Sequence, residues 1–326
     1  MTIATRDSTD RLPALSGLRA GAFTPHRLHE VGRTWSETNC YVDLWVETLH
    51  ALDLDPVPVL ACALSADFDG DQWTFLKPAP EDLRAVYGIE VAELNVWRPL
   101  VEHMADHLAR GRLLTVEVDS FWLPDTAGTT YHHGHAKTTV AVAALEPDRL
   151  GYFHGPGYFE VGGDDLLGLL AAAGRGLPPY VEVVRLEGLR RDPARVSAAT
   201  AASVGEHLRR RPADNPVARL GERVLQDLPW LAAADEEAFH AYAFATCRAV
   251  GATADLAAEV SDLLDSDAST EAAGHFRAAS TAAKSLQFQL ARAARGRTVD
   301  VRGTLATLAE EWGTAVALLA GRHAAR

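Results

Sequence analysis

The sequence predicts an α+β fold followed by an all-α helical domain, and three observations carry that prediction. Before about residue 190, β-branched and aromatic runs alternate with turn residues. Beyond it, long segments rich in Ala, Leu, Glu and Arg contain no convincing strand. No repeat of fixed period is visible, which argues against a solenoid. The 326 residues therefore divide into an α+β domain, 1–190, and a helical domain, 191–326.

The elements follow from local pattern. Helical spacing of apolar residues predicts helices over 40–52, 80–87, 96–110 and 164–173. Alternation predicts strands over 115–123, 138–145, 150–154, 158–161 and 180–186, the second and third joined as an antiparallel hairpin by Glu146-Pro147-Asp148-Arg149. In the C-terminal part, helices are expected at 196–210, 216–226, 235–250, 253–264 with 269–294, and 299–319. Breaks are expected at 211–216, at Leu228-Pro229-Trp230 and at 265–270.

Composition narrows the function classes. With 48% hydrophobic residues the chain can bury a large core, yet no stretch reaches the uninterrupted apolar length of a membrane helix. A formal charge of −13 disfavours non-specific nucleic-acid binding, which requires a basic surface. Three cysteines without a CxxC pair argue against a disulfide framework or zinc cluster. The polar start lacks signal- or transit-peptide character, so a reduced, cytoplasmic setting is expected. Gly155-Pro156-Gly157 and Gly162-Gly163 read as turns, because no phosphate loop or dinucleotide fingerprint accompanies them; no cofactor is expected. Asp67-Phe68-Asp69-Gly70-Asp71 lacks the distal Glu of a calcium loop and reads as a turn, and Asp164-Asp165 reads as a helix start.

The stretch ETNCYVDLWVETL, 37–49, carries the chemistry. Thr38 and Asn39 are N-cap types, so a buried helix begins at or beside Cys40. A thiol there meets unpaired N–H groups and the positive end of the helix dipole, which favour thiolate and can bind an oxyanion. A lone cysteine near an apolar helix is otherwise a small buried hydrophobe, and Cys62 and Cys247, without capping signals, are read that way. For oxyanion and substrate contacts Asn39 is preferred, with Thr38, Trp35 and Thr34 also within reach, while Glu37 would oppose an oxyanion.

A cysteine nucleophile needs a base and a group to orient it. Of 13 histidines, the cluster Tyr131-His132-His133-Gly134-His135 stands apart, since it leads directly into a strand. His135 is placed as the base on a rigid element; His132 and His133 are alternatives, and a metal site is disfavoured for want of an adjoining acidic or Cys ligand. Cys at a helix start, then a long interval, then His entering an antiparallel strand is the order of a papain-like fold. There the orienting Asn or Asp ends the next strand, where this sequence has His154. Asp119 is the competing candidate, with Asp125 a third.

Several ordered motifs carry a resemblance: 37–49, DFDGDQWTFLKP at 67–78, ELNVWRPL at 93–100, EVDSFWLPDT at 117–126 and LGYFHGPGY at 150–158. Over most of residues 25–190 the chain resembles a bacterial family known only as a domain of unknown function. More distantly it resembles butirosin-biosynthesis protein H, a papain-like acyltransferase with a helical C-terminal domain. The shared features are a Cys at a helix start, the strand Val118-Asp119-Ser120-Phe121-Trp122-Leu123-Pro124 and a His leading a strand. The resemblance implies a partnership with aminoacyl:carrier-protein ligases and phosphopantetheinylated carrier proteins. It also implies transfer of an acyl or aminoacyl group from a carrier-protein thioester to a small amine through a Cys40 acyl-enzyme.

A papain-like thiol hydrolase or peptidase (a thioesterase or amidase), or a non-catalytic carrier-protein-binding protein, are the alternatives. Since carrier proteins are acidic, docking on this acidic chain needs a basic patch, for which Arg190-Arg191 or Arg209-Arg210-Arg211 are candidates.

Overall fold

The computed structural model describes residues 10–11, 15, 17–173, 178–264 and 266–324. It is α+β, with one antiparallel sheet and a helical C-terminal part. Two compact units form. The first draws on Met1–Glu30, Asn39–Pro56 and Pro80–Asp192; the second on Val31–Thr38, Val57–Ala79 and Pro193–Arg326. Among the described residues, no helix is long and apolar enough to cross a membrane.

The first unit contains β1 (Asp10–Arg11), α1 (Cys40–Ala51), α2 (Pro80–Tyr87), β2 (Glu90–Glu93), α3 (Leu100–Ala109) and β3 (Leu113–Asp119). There follow β4 (Lys137–Glu146), β5 (Arg149–His154), β6 (Gly157–Gly162), α4 (Gly163–Ala172) and β7 (Val181–Arg185). Six strands run in the order β2-β7-β3-β4-β5-β6, and β1 pairs with β4. The predicted hairpin is β4–β5, with Leu145 opposite Leu150. Strand β2 was not expected from its sequence; its ladder to β7 makes it an edge strand with only partly buried side chains. Strand β3 stops at Asp119 rather than continuing to 123, because the Asp119 carboxylate accepts the Phe121 N–H at 3.1 Å and folds Ser120–Trp122 into a 3-10 turn. Helix α3 starts at Leu100 because Pro99 holds the preceding chain extended.

Alternation gives the sheet two faces. Val116, Val118, Val140, Val142, Leu150 and Tyr152 pack with Met104 and Leu108 of α3 and Leu166 and Leu169 of α4. The opposite face presents Thr115 and its cross-strand neighbour Glu182, and it is these that Tyr41 of α1 reaches.

The second unit holds α5 (Pro193–Arg210), α6 (Pro216–Leu231), α7 (Glu236–Ala243), α8 (Ala249–Asp262), α9 (Asp267–Ala294) and α10 (Arg302–Ala324). Contrary to the expected break, α6 runs through Pro229 to Leu231. Proline so near the C-terminus removes one of the last ladder bonds and leaves the remainder of the helix intact. Between α7 and α8, Phe244–Arg248 widen into a π turn, where the Ala245 carbonyl accepts the backbone N–H of Trp73 at 2.8 Å. Trp73, Trp312 and Phe276 form an edge-to-face aromatic core, with the Trp73 indole N–H donating to Thr253. The 57–64 run, including Cys62, folds as two short 3-10 turns.

Gly88, at φ +71°, meets Gly188 so closely that an added Cβ would lie 2.1 Å from the Gly188 carbonyl oxygen. Gly88→Ala is expected to cost about 2–4 kcal/mol, read as a lowered midpoint in urea unfolding at unchanged slope.

Candidate functional site

Helix α1 begins at Cys40 because Asn39 closes its first turn. The Asn39 Oδ1 accepts the backbone N–H groups of Tyr41 and Val42, each at 3.0 Å. This sets the Cys40 thiol at the helix N-terminus, partly exposed. With Oδ1 committed to the cap, only the Asn39 amide has the polarity to donate to an oxyanion. Cys247, by contrast, is fully buried, and burial pushes its thiol up to about 12.

Two polar clusters anchor α1. Tyr41 donates to Glu182 Oε2 at 2.6 Å, Thr115 donates to the same oxygen at 2.7 Å, and Tyr180 donates to Oε1 at 3.0 Å. Burial, and then the Glu182 charge, push the Tyr41 phenol well above its ordinary range. Asp43 and Glu47 share a helix face with Cys40 and clamp His29. His29 Nε2 lies 3.3 Å from Asp43, Nδ1 bonds to Glu47, and Glu47 also accepts the His26 N–H at 3.0 Å. Burial alone would lower the His29 pKa, but hydrogen bonds and charge from Asp43 and Glu47 outweigh it and raise it to about 9. The signal for this pairing lies in the four-residue spacing of Asp43 and Glu47 on a buried helix, which requires a cation, rather than in the sequence around His29.

The 120–136 connection presents three histidine–carboxylate pairs. His135 Nδ1 lies 2.6 Å from Asp119 Oδ2, and its ring stacks on Phe121 with centroids 4.6 Å apart. Donation from Nδ1–H to Asp119 leaves the lone pair on Nε2, the arrangement a general base requires. His135 is 72% exposed. His132, at φ +56°, turns its Nε2 to Asp165 at 2.8 Å, which also accepts from the Tyr131 hydroxyl. His154 has a third carboxylate: Nδ1 lies 2.5 Å from Asp125, which also accepts from Tyr152, while Nε2 meets the Thr138 hydroxyl at 2.7 Å. Among the described residues, no three His, Cys, Asp or Glu side chains converge as metal ligands.

Register separates these pairs. Asp119 alternates with Val118 and shares its face with Thr115, the face that α1 contacts through Tyr41. His154 alternates with Phe153 and shares the opposite, α3/α4 face with Tyr152. The structure therefore brings Asp119, not His154, to His135. An open groove of about 380 Å³ is lined by Glu117, Asp119, His135 and Lys137, with Ala172, Ala173 and Pro179. Lys137 pairs with Glu117 at 2.7 Å. Cys40 does not line this groove, and no hydrogen bond joins it to His135 among the described residues. Trp35 and Thr38 belong to the second unit, where Trp35 is buried against Gly251. The Asp67–Asp71 loop is a turn closed on Asp69, whose carboxyl is held below its usual range by backbone N–H groups of Gln72 and Asp71.

Burial distinguishes the pairs energetically. Asp125→Ala orphans Tyr152 and His154 and is expected to cost about 2–4 kcal/mol, whereas Asp119→Asn at the exposed pair costs about 1 kcal/mol or less; chemical denaturation checks both. Because folding raises His29 from 6.5 to about 9, its contribution is complete below pH 6.5 and disappears as pH rises through 9. Stability should fall over that window by about 3 kcal/mol in the wild type and by much less in His29→Gln, measured by thermal unfolding across pH.

Comparison with known sequences extends over both units. Residues 24–186 match the DUF1839 N-terminal domain and residues 194–321 match the DUF1839 C-terminal domain. No curated protein matches the chain. Since both domains of one family occur in order over most of its length, the chain belongs to the DUF1839 family.

Proposed function

We propose that this protein is a cytoplasmic, papain-like acyl or aminoacyl transferase that moves an acyl group from a carrier-protein thioester to a small amine. The observation that supports this most is the His135–Asp119 pair, with Nε2 as acceptor, on the sheet face that α1 contacts. Helix α1 begins with Cys40, and its Asn39 cap supplies the helix-start setting of a thiol nucleophile. Asp119 is the orienting group in this reading, and His154 is structural.

The reaction runs in two halves. His135 Nε2 takes the Cys40 proton as the sulfur attacks the thioester carbonyl, and the Cys40 N–H and the Asn39 amide stabilise the oxyanion. Collapse breaks the bond to the carrier thiol, which leaves with the proton from His135 and yields acyl-Cys40. The amine then attacks, His135 accepts its proton, and Cys40 departs as thiolate to be reprotonated. No cofactor enters beyond the carrier's own phosphopantetheine.

The exposure of His135 favours a second reading, hydrolysis, in which water replaces the amine. Incubation with an aminoacyl thioester should give an adduct on Cys40 by intact mass, absent in Cys40→Ala. His135→Ala and Asp119→Ala should slow its formation by about 10³-fold and about 10²-fold respectively. Adduct formation on Cys62, or undiminished turnover by Cys40→Ala, would refute the nucleophile. Thioester loss at a rate indifferent to added amines would establish hydrolysis instead.

A further inference from the structure

The arginine runs named from sequence are engaged locally. Arg191 donates to the carbonyls of Leu52 and Asp53, Arg209 pairs with Glu206, and Arg211 donates to the Leu208 carbonyl. Charge is more accessible in the groove beside His135. Asp119 is committed to His135, while the Glu117 carboxylate has one ion-pair partner among the described residues, Lys137 at 2.7 Å. The Lys137 side chain is 69% exposed, so solvent or a second cation can enter this pair at little cost.

Strand register sets what surrounds the pair. Thr115, Glu117 and Asp119 alternate onto one face of β3, with Glu182 across from Thr115 and Lys137 across from Asp119. Glu182 is buried, accepts from three hydroxyls and has no cation partner among the described residues. Tyr180 registers this charge. Burial, then Glu182, then Glu93 and Glu117 push its phenol up to about 12. The groove lining adds two carboxylates against one lysine, and Ala172, Ala173 and Pro179 supply a small apolar wall. Such a surface disfavours a further anion and favours an ammonium carried on a short hydrocarbon chain.

We propose that Glu117 is the specificity-determining residue of this groove and binds a primary ammonium of the substrate where the Lys137 ammonium now sits, an inference that rests on the acyl-transfer reading. Lys137 shows that an alkylammonium reaches this carboxylate at hydrogen-bond distance. A substrate ammonium exchanges with it, and Lys137 turns to the solvent to which it is already open. Glu117 and Asp119 stand two residues apart on one strand face, about 6.5 Å along β3. An ammonium on Glu117 therefore holds a group only a few bonds away beside the base that Asp119 orients.

That ammonium has two sources: the α-amino group of an aminoacyl donor, or the second amino group of a diamine acceptor whose other nitrogen attacks as the neutral amine. The test separates them. It uses the full chain and follows acyl-Cys40 by intact mass through its formation and its aminolysis. The donors are the alanyl and propionyl thioesters of N-acetylcysteamine, and the acceptors are putrescine and butylamine. In each pair only one member carries the extra ammonium.

Glu117→Gln should lower the rate ratio of the charged over the uncharged member about tenfold, and Lys137→Met should raise it about threefold. The ratio that moves, donor or acceptor, names the source of the ammonium. Opposed shifts separate recognition from a structural role, because loss of the ion pair alone moves both variants the same way. Circular dichroism verifies that both fold. Glu160→Gln removes the same charge from the Arg149–Glu160 pair of β5 and β6 and should keep both ratios within about twofold of wild type. Ratios that Glu117→Gln leaves within about twofold, that both groove variants lower, or that Glu160→Gln shifts equally overturn the assignment while catalysis stands. If the wild type forms no acyl-Cys40 with either donor, the catalytic reading fails instead, and calorimetric titration with putrescine and with alaninamide decides the site. Binding of either weakened about tenfold by Glu117→Gln supports it. No binding, or binding indifferent to that change, overturns it.

Discussion

A buried helix that carries Asp43 and Glu47 can persist only if a cation meets them, and His29 is that cation. Unpaired, either carboxylate would be neutralised or would prevent the helix from burying. At the start of the same helix, Glu182 is held by three hydroxyl donors, one of them from Tyr41. These clusters fix α1 against the sheet, and Asn39 fixes where it begins. The placement of Cys40 follows from both.

The three histidine–carboxylate pairs show how burial divides one chemistry into different roles. Asp125, His154, Thr138 and Tyr152 form a closed and nearly buried chain in which each polar group satisfies another. Such a network stabilises through the high cost of breaking it and offers nothing to a substrate. His135 has the same Nδ1-to-carboxylate contact but lies open to solvent, with Nε2 available for a proton. Phe121 holds its ring by stacking, so orientation there does not depend on burial.

In the second unit, the constraint is backbone rather than charge. The Trp73 N–H takes a helical carbonyl at Ala245, and the helix widens around it. The Trp73, Trp312 and Phe276 rings fill the space inside. The widened turn ends in Arg248, which lies 5.7 Å over the Phe244 ring and pairs with Glu37 at 3.7 Å.

Local pattern was enough to read most elements. The helix opening at Cys40, the hairpin at 146–149 and the α2 bounds follow from capping, turn chemistry and periodicity, which act within a few residues. Pro229 and β2 escaped that reading, because helix continuation and edge pairing depend on what lies alongside. The sequence by itself determined which residues carry reactive groups, and that Cys40 starts a helix and His135 leads a strand. Only the tertiary structure decided their company. Strand register, set by pairing across residues far apart in the chain, sends Asp119 to the α1 face and His154 to the other, and no spacing along one strand reveals which carboxylate a histidine will meet.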